Sequence, residues 1–482
     1  MMSIFGSHES LKEKGNFGEG SVASAVLRLA VPYMLAEMVQ VLYNIVDRIY
    51  IGHIDLVGTD ALTGVGVTFP IVTIVTAFTA LFGLGGAPAF SMERGRGNDE
   101  KAGWVLGNAA AMLVINAAVI TAIVLAVRRP VLYLFGASDT SFVFADAYLK
   151  VYILGTLFQM LSAGLNPYIT NQGFGGIGMW TTVTGAVINI ILDPFFIYND
   201  FTFLGLGMRG LDMGIQGAAL ATIVSQLVSA VWVVLFLALR TPIRLRLSRM
   251  RLRASIVLDI VRIGVTNFFF GLTTSIAFAM YNRSLQRYGG DLYVAAMTVN
   301  NSVKEFVFLS MRGFTHGAQP VISYNYGARK ADRILKAIRF MTVVVVSYTL
   351  CATLLVLAVP GPIISIFNDD PAMMEAAPAA MRIFFALGAF MSLQSVGQQT
   401  FVSLGMAKYA LFFSILRKVI LIMPMIYILP QIFTSSQVYA VFAAEPVSDL
   451  IGGGACFTTM VFAVYRKLKA GKDVGLRCGK PF

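Results

Sequence analysis

The sequence predicts an all-α polytopic membrane protein with about twelve transmembrane helices in two pseudo-symmetric six-helix lobes. Three observations carry this. First, the 482 residues are 57% hydrophobic and only 13% charged, about half the charge of a soluble domain. Second, runs such as Val105 to Val127 and Gly214 to Leu239 hold no charged residue, and a span needs roughly 20 apolar residues to cross the hydrocarbon core. Third, an Arg-rich segment at mid-chain separates two halves that share a pattern of Gly and Pro. Helices are favoured over a barrel because barrel strands alternate over about ten residues, whereas these runs are longer and do not alternate.

The expected helices 1 to 6 are 22–51, 61–91, 103–127, 141–170, 177–198 and 214–239. Helices 7 to 12 are expected at 254–284, 293–318, 334–358, 372–401, 409–430 and 437–465. Each is long enough to cross with some tilt. The chain then divides into an N-terminal lobe, 1–239, a basic cytoplasmic linker, 240–253, a C-terminal lobe, 254–465, and a basic cytoplasmic tail, 466–482. A shift of 232 positions sets Gly85 on Gly317, Pro88 on Pro320, Ser91 on Ser323 and Gly95 on Gly327. With a small gap, Leu192-Asp193-Pro194 falls opposite Ile422-Met423-Pro424. Internal repeats of this kind mark secondary transporters.

The net charge of +12 reflects topology rather than nucleic-acid binding. Arg240, Arg244, Arg246, Arg249, Arg251 and Arg253 share the mid-chain loop, and Arg466, Lys467, Lys469, Lys472, Arg477 and Lys480 crowd the tail. Basic residues gather in cytoplasmic loops. This expectation puts both termini in the cytoplasm of a multi-pass cell-membrane protein. Arg128 and Arg129, read as lying in the outer loop after helix 3, run against the rule.

Acids inside apolar helices are costly and usually functional. Helix 1 carries Glu37, Gln40, Tyr43, Asn44 and Asp47 at steps that keep them on one face. Helix 5 ends in Asn189, Asp193 and Pro194, with the Asn and Asp one turn apart and the proline removing an N–H beside the acid. A carboxyl shielded from water titrates nearer neutral pH, the property a proton carrier needs. These acids are read as a proton or cation site, against the alternative of polar interhelical contacts or an acid at the membrane edge. Pro32, eleven residues before Tyr43, is a candidate kink. In the other half Lys304, Glu305, Arg312, Arg417, Lys418, Glu445 and Asp449 are read as charges that pair within the bundle, while Gln394 and Gln398 share a face of helix 10 and are cavity candidates.

The run Leu42-Tyr43-Asn44-Ile45-Val46-Asp47, the run Asn189 to Pro194, the segment Gly217 to Thr222, and Gln319-Pro320 leading to Tyr324-Asn325-Tyr326-Gly327 resemble signatures of the multidrug and toxic compound extrusion (MATE) family. The similarity extends from helix 1 to Ala444-Glu445-Pro446. It implies two lobes with a cavity between them and export of organic, often cationic, compounds driven by inward H⁺ or Na⁺. Tyr43 and Asp47 resemble the family's helix-1 pair, Asn189 and Asp193 its helix-5 pair, Pro32 its kink proline, and Thr222 a polar residue of helix 6. NorM-like members carry a helix-7 acid, and Asn267 to Tyr281 holds none, so the chain resembles the DinF-like side. Glu37 has no counterpart in that pattern.

The expected function is therefore a cation-coupled antiporter that exports lipophilic cations by alternating access and works as a monomer. Asp47, Asp193, Tyr43 and Asn189 would carry the coupling ion, Pro32 and Pro194 would bend their helices, and Glu37, Gln40, Asn44, Thr222, Gln394 and Gln398 are candidates for the substrate cavity. The alternative is a lipid or lipid-linked glycan flippase of related architecture, for which a basic cavity would be expected. A channel would show a selectivity loop. His8, His53 and His316 are too scattered for a triad or metal site, Cys351, Cys456 and Cys478 have no metal spacing, and no phosphate-binding glycine loop is present. Neither an enzyme nor a bound cofactor is expected, and the gradient of H⁺ or Na⁺ supplies the energy.

Overall fold

The computed structural model describes residues 16–54, 58–135, 137–203, 206–367 and 371–471. The helices are α1 (Val22–Gly52), α2 (Gly58–Gly95), α3 (Asp99–Leu134), α4 (Asp139–Thr170), α5 (Gly175–Ile197) and α6 (Gly214–Leu239), then α7 (Ala254–Gly290), α8 (291–327) and α9 (Ala331–Ala358). They end with α10 (Pro371–Phe385 and Ala389–Ser403), α11 (Ala407–Ile432) and α12 (Thr434–Lys469). Among the described residues, ten helices are long and apolar enough to cross a membrane, or eleven if the two pieces of α10, bent by 42°, form one span. The protein is thus an all-α multi-pass membrane protein. α8 is not among those spans; it carries Lys304, Glu305 and Arg312.

Local sequence explains several boundaries. Asn98 caps α3 by accepting from the Lys101 amide at 3.0 Å, and Asp99 and Glu100 sit in the first turn, where acids suit the helix dipole. Ser138 and Ser141 form a reciprocal capping box at the start of α4. The helical run 254–327 is interrupted only at Gly290, with φ 67° and ψ −166°, a conformation open to glycine alone.

The structure corrects four expectations. α3 runs seven residues past the predicted end, so Arg128 and Arg129 are helical rather than in a loop; Arg128 donates from Nε to Asp146 at 2.8 Å, which lets a charge persist in a helix. The gap expected at 285–292 is helix apart from Gly290. Helix 10 is bent rather than continuous. The chain also holds a small antiparallel hairpin, β1 (Asp200–Phe203) with β2 (Leu206–Arg209). After it, the amides of Leu211 and Met213 donate to the carbonyls of Phe195 and Phe196, satisfying groups that the end of α5 leaves unpaired.

Two compact units emerge. One comprises Leu35–Gly264, and the other Phe17–Met34 with Val265–Phe482. The division does not follow chain order: the first part of α1 belongs with the C-terminal helices, and the first part of α7 with the N-terminal ones. Close backbone approach explains both attachments. In the first unit Gly85 of α2 packs on Ile260 and Gly264 of α7, and in the second Gly317 of α8 packs on Ala30 of α1. Gly85 and Gly317 are the residues that the 232-position shift pairs, so the repeat recurs as one contact made twice. A Cβ on Gly317 would lie 2.6 Å from the Ala30 Cβ, and one on Gly264 would lie 2.7 Å from the Leu81 carbonyl carbon. Gly264→Ala and Gly317→Ala are each expected to destabilise by about 1–3 kcal/mol through overpacking, read as a lowered thermal midpoint of the purified protein. Gly176→Ala, where a Cβ meets nothing within 4 Å, should leave the midpoint unchanged.

The basic segment 240–253 is anchored rather than loose. Asn108 of α3 donates to the carbonyls of Arg249 and Arg251 and accepts from the Arg253 amide at 2.7 Å. The Arg253 guanidinium lies 3.4 Å over the Trp104 ring. Gly103 and Gly107 make room for Arg249.

Candidate functional site

In the unit formed by Leu35–Gly264, four helices converge on the acids of α1 and α5. Asp193 and Asn189 are fully buried, and the Asn189 amide donates to Asp193 Oδ1 at 3.0 Å. Their spacing of one helical turn makes this bond possible. Asp47 lies near enough to Asp193 for the two charges to interact. Tyr43, one turn before Asp47, hydrogen-bonds with Gln40 and feels both acids. The sequence-predicted quartet of Asp47, Asp193, Tyr43 and Asn189 is therefore one cluster.

Its surroundings were not anticipated. Tyr148 and Tyr152 of α4 stack with ring centres 5.6 Å apart, and each interacts electrostatically with Asp47. Tyr152 also hydrogen-bonds with Gln226 of α6 and donates to Gln159 at 3.3 Å. Tyr50 interacts with Asp193, and its carbonyl accepts from the Tyr198 hydroxyl at 2.7 Å. Tyr148 and Tyr152 continue into an apolar core with Ile51, Ile197 and Ala218. In the sequence they appear only as two tyrosines one turn apart in α4.

The cluster retains unused acceptors. Asp47 Oδ1, Asp193 Oδ2 and Asn189 Oδ1 are buried with no hydrogen-bond partner among the described residues. Such atoms are costly unless satisfied. A proton on one carboxyl, or a small cation among the oxygens, would meet that need. Among the described residues no group of three or more His, Cys, Asp or Glu is placed to hold a metal ion.

Of the remaining candidates, Glu37 and Gln40 are half-buried and Asn44 is exposed. Thr222 is buried, with its carbonyl accepting from the Ser225 hydroxyl. Pro32 lies inside α1 and Pro194 inside α5. Neither proline ends its helix. Pro32 comes two residues before the point, Met34–Leu35, at which α1 passes from one compact unit to the other.

In the second unit, Gln394 is buried and donates to the Phe413 carbonyl at 3.4 Å, while Gln398 is half-buried. Six of the seven charges named in this half pair as expected, while Lys418 is buried with its ammonium 5.7 Å from the Phe270 ring centre and in no ion pair among the described residues. Arg417, fully buried, bonds Asp449 from Nε at 2.8 Å and Glu445 from Nη2 at 2.7 Å. Glu445 also accepts from Tyr281 at 3.1 Å and pairs with Lys304. Arg417 and Asp449 each fall in a π-helical turn, Leu416–Ile422 and Asp449–Gly453, a local widening often found where function demands an unusual side-chain direction. Glu305 and Arg312 form a separate, exposed pair at 3.2 Å.

Comparison with known proteins fits this architecture. The multidrug export protein MepA of Staphylococcus saprophyticus is 24% identical over 438 residues, which cover 90% of this chain and 93% of that protein. MepA of Staphylococcus aureus strain N315 is 22% identical over the same shares. A crystal structure of MATE in the bent conformation superposes with a TM-score of 0.87 at 22% identity, covering 95% of this chain and 99% of the other. An outward-facing multidrug resistance MATE family transporter of the MOP superfamily gives 0.85 at 21% identity, over 97% of this chain and 100% of that one. The MatE family model matches residues 32–195 and again residues 263–428, at an offset close to that of the internal repeat. The chain belongs to the MatE family.

Proposed function

We propose that this protein is a cation-coupled antiporter of the cell membrane that exports lipophilic organic cations by alternating access, using an inward gradient of H⁺ or Na⁺. The observation that carries the reading is the closeness of half-buried Asp47 to fully buried Asp193 beside a group of tyrosines, with carboxylate oxygens of both left unsatisfied. Similarity to multidrug export proteins along most of the chain supports the substrate class. The 240–253 segment and the C-terminal tail are assigned to the cytoplasm from their basic residues, and twelve crossings would put the N-terminus on the same side.

In this reading Asp47 and Asp193 hold the coupling ion, and Asn189 orients Asp193 through its 3.0 Å bond. Two ionised carboxylates this close and largely shielded from water repel, and a proton or Na⁺ would relieve that repulsion. Release of the ion restores it. Asp47 then feels the change on the same helix as Pro32, so rearrangement at the acids reaches the stretch of α1 that belongs to the other unit. The ion drives this change only through its different affinity for the two states.

The test is ethidium transport in inverted vesicles, with pH and Na⁺ gradients imposed separately. Uptake should follow at least one gradient and collapse when that gradient is dissipated. Well-expressed protein that moves ethidium under neither gradient would overturn the reading for that class of compound.

A further inference from the structure

The segment between α6 and α7 holds its arginines in two different ways. Arg253 lies over the Trp104 ring and Arg249 packs against Gly103 and Gly107, so these two are engaged with α3. Arg244, Arg246 and Arg251 are exposed. The sequence has no acid between Asp212 and Asp259 to neutralise them.

The backbone that carries these arginines is tied at both ends. The Ile243 amide donates to Gln172 Oε1 at 2.9 Å, and Gln172 Nε2 donates back to the Ile243 carbonyl at 3.3 Å. Asn108 holds the chain again at 249–253. Between the ties a single 3₁₀ turn, Leu247–Arg249, holds Leu247 85% exposed. Leu252 is 50% exposed. A topology signal needs only the charges, not a leucine held out among them. The basic turn Arg466–Lys469 keeps its own leucine, Leu468, buried.

The depth of the segment follows from α3. That helix has 36 residues, about 54 Å at roughly 1.5 Å per residue, against a hydrocarbon core of about 30 Å. Shared equally, the excess leaves about eight residues outside the core at each end. Gly103, Trp104 and Gly107 therefore lie in or at the edge of the headgroup layer, the level at which tryptophan is enriched. A segment tied there brings Leu247 to the acyl chains and the arginines to the phosphates. Arginine suits that partner because its planar fork grips phosphate through two N–H groups at once.

We propose that residues 244–252 form a docking site for anionic phospholipid, in which Leu247 enters the acyl region and Arg244, Arg246 and Arg251 hold the headgroups. Three arginines without an acid favour a lipid of net negative charge over a zwitterionic one. The exposed leucine among them favours a lipid over a soluble anion. The proposal stands whether or not the Asp47–Asp193 cluster couples transport.

The test is fluorescence quenching in lipid nanodiscs. The full chain carries a bimane at Ser248→Cys, with Cys351→Ser and Cys478→Ser; Cys456 is buried. Brominated phosphatidylglycerol should quench with a constant about fivefold larger than brominated phosphatidylcholine, the preference of one basic residue near an anionic surface. Arg244→Gln, Arg246→Gln and Arg251→Gln together should bring the two constants level. All three side chains are exposed and the anchoring bonds use the backbone, so the thermal midpoint should hold. Leu247→Ser should lower quenching by both lipids. Inorganic phosphate should displace no more lipid than sodium chloride of equal ionic strength. Equal quenching by the two lipids in the parent chain overturns the proposal, as does a preference that survives the triple substitution. Unchanged quenching in Leu247→Ser, or displacement by phosphate beyond the salt control, overturns it as well.

Discussion

Asp193→Asn is expected to reduce gradient-driven ethidium efflux to the level of vesicles without the protein, and Asp47→Asn to do the same. Both substitutions keep the shape of the side chain and remove the group that can exchange a proton or bind a cation. The amide at 193 can still hydrogen-bond Asn189, which now holds Asp193 at 3.0 Å, so the helix should stay in place. Ethidium binding and thermal midpoint should therefore change little while transport disappears. That separation distinguishes a coupling group from a structural one. Transport by either variant at the original rate, with its pH and Na⁺ dependence intact, would remove that acid from the coupling site. Tyr148→Phe provides a graded comparison, since it deletes one hydroxyl near Asp47 and leaves both carboxyls. It should slow efflux without abolishing it.

The largest effect on stability is expected at Arg417, which is fully buried and bonds two buried carboxylates. Arg417→Met would leave Asp449 with no ion-pair partner among the described residues and Glu445 with Lys304 alone. Breaking a buried network from one side costs about 3–5 kcal/mol, because the charge left behind is uncompensated. The variant should melt well below the parent chain or fail to accumulate. Converting Asp449 to Asn in the Arg417→Met background removes the one acid left without an ion-pair partner, keeps Glu445 for Lys304, and should recover part of the loss. By contrast, Arg312→Gln breaks an exposed pair with Glu305, and such pairs contribute about 0–1 kcal/mol. A thermal midpoint that fell equally for Arg312→Gln and Arg417→Met would contradict this account.

The coupling candidates were legible in the sequence for a thermodynamic reason. A carboxylate in an apolar helix is expensive, so Asp47 and Asp193 stood out from their neighbours, and helical spacing then named Tyr43 and Asn189. The residues around them carry no such mark. Tyr148, Tyr152, Gln159 and Gln226 are of types that any membrane helix tolerates, and only the packing of α4 and α6 makes them part of the cluster. Arg128 shows the opposite error. Its charge suggested a loop, but its partner Asp146 sits 18 positions away, beyond the reach of any local pattern.

The sequence alone determined the class of the protein, the two acid-bearing helices and the repeat, because hydropathy, helical periodicity and Gly–Pro spacing act over short stretches of chain. Tertiary structure decided what those stretches touch. Gly85 and Gly317 could be paired by number, but only packing revealed that each admits the first part of α7 or α1 into its unit. Likewise, opposite charges in the second half could be expected to pair, but the choice of partners awaited the fold. That choice left Arg417 fixed between Glu445 and Asp449 and Lys304 paired with Glu445. Desolvation makes every buried charge seek a partner, and which partner it meets depends on helices far apart in the chain.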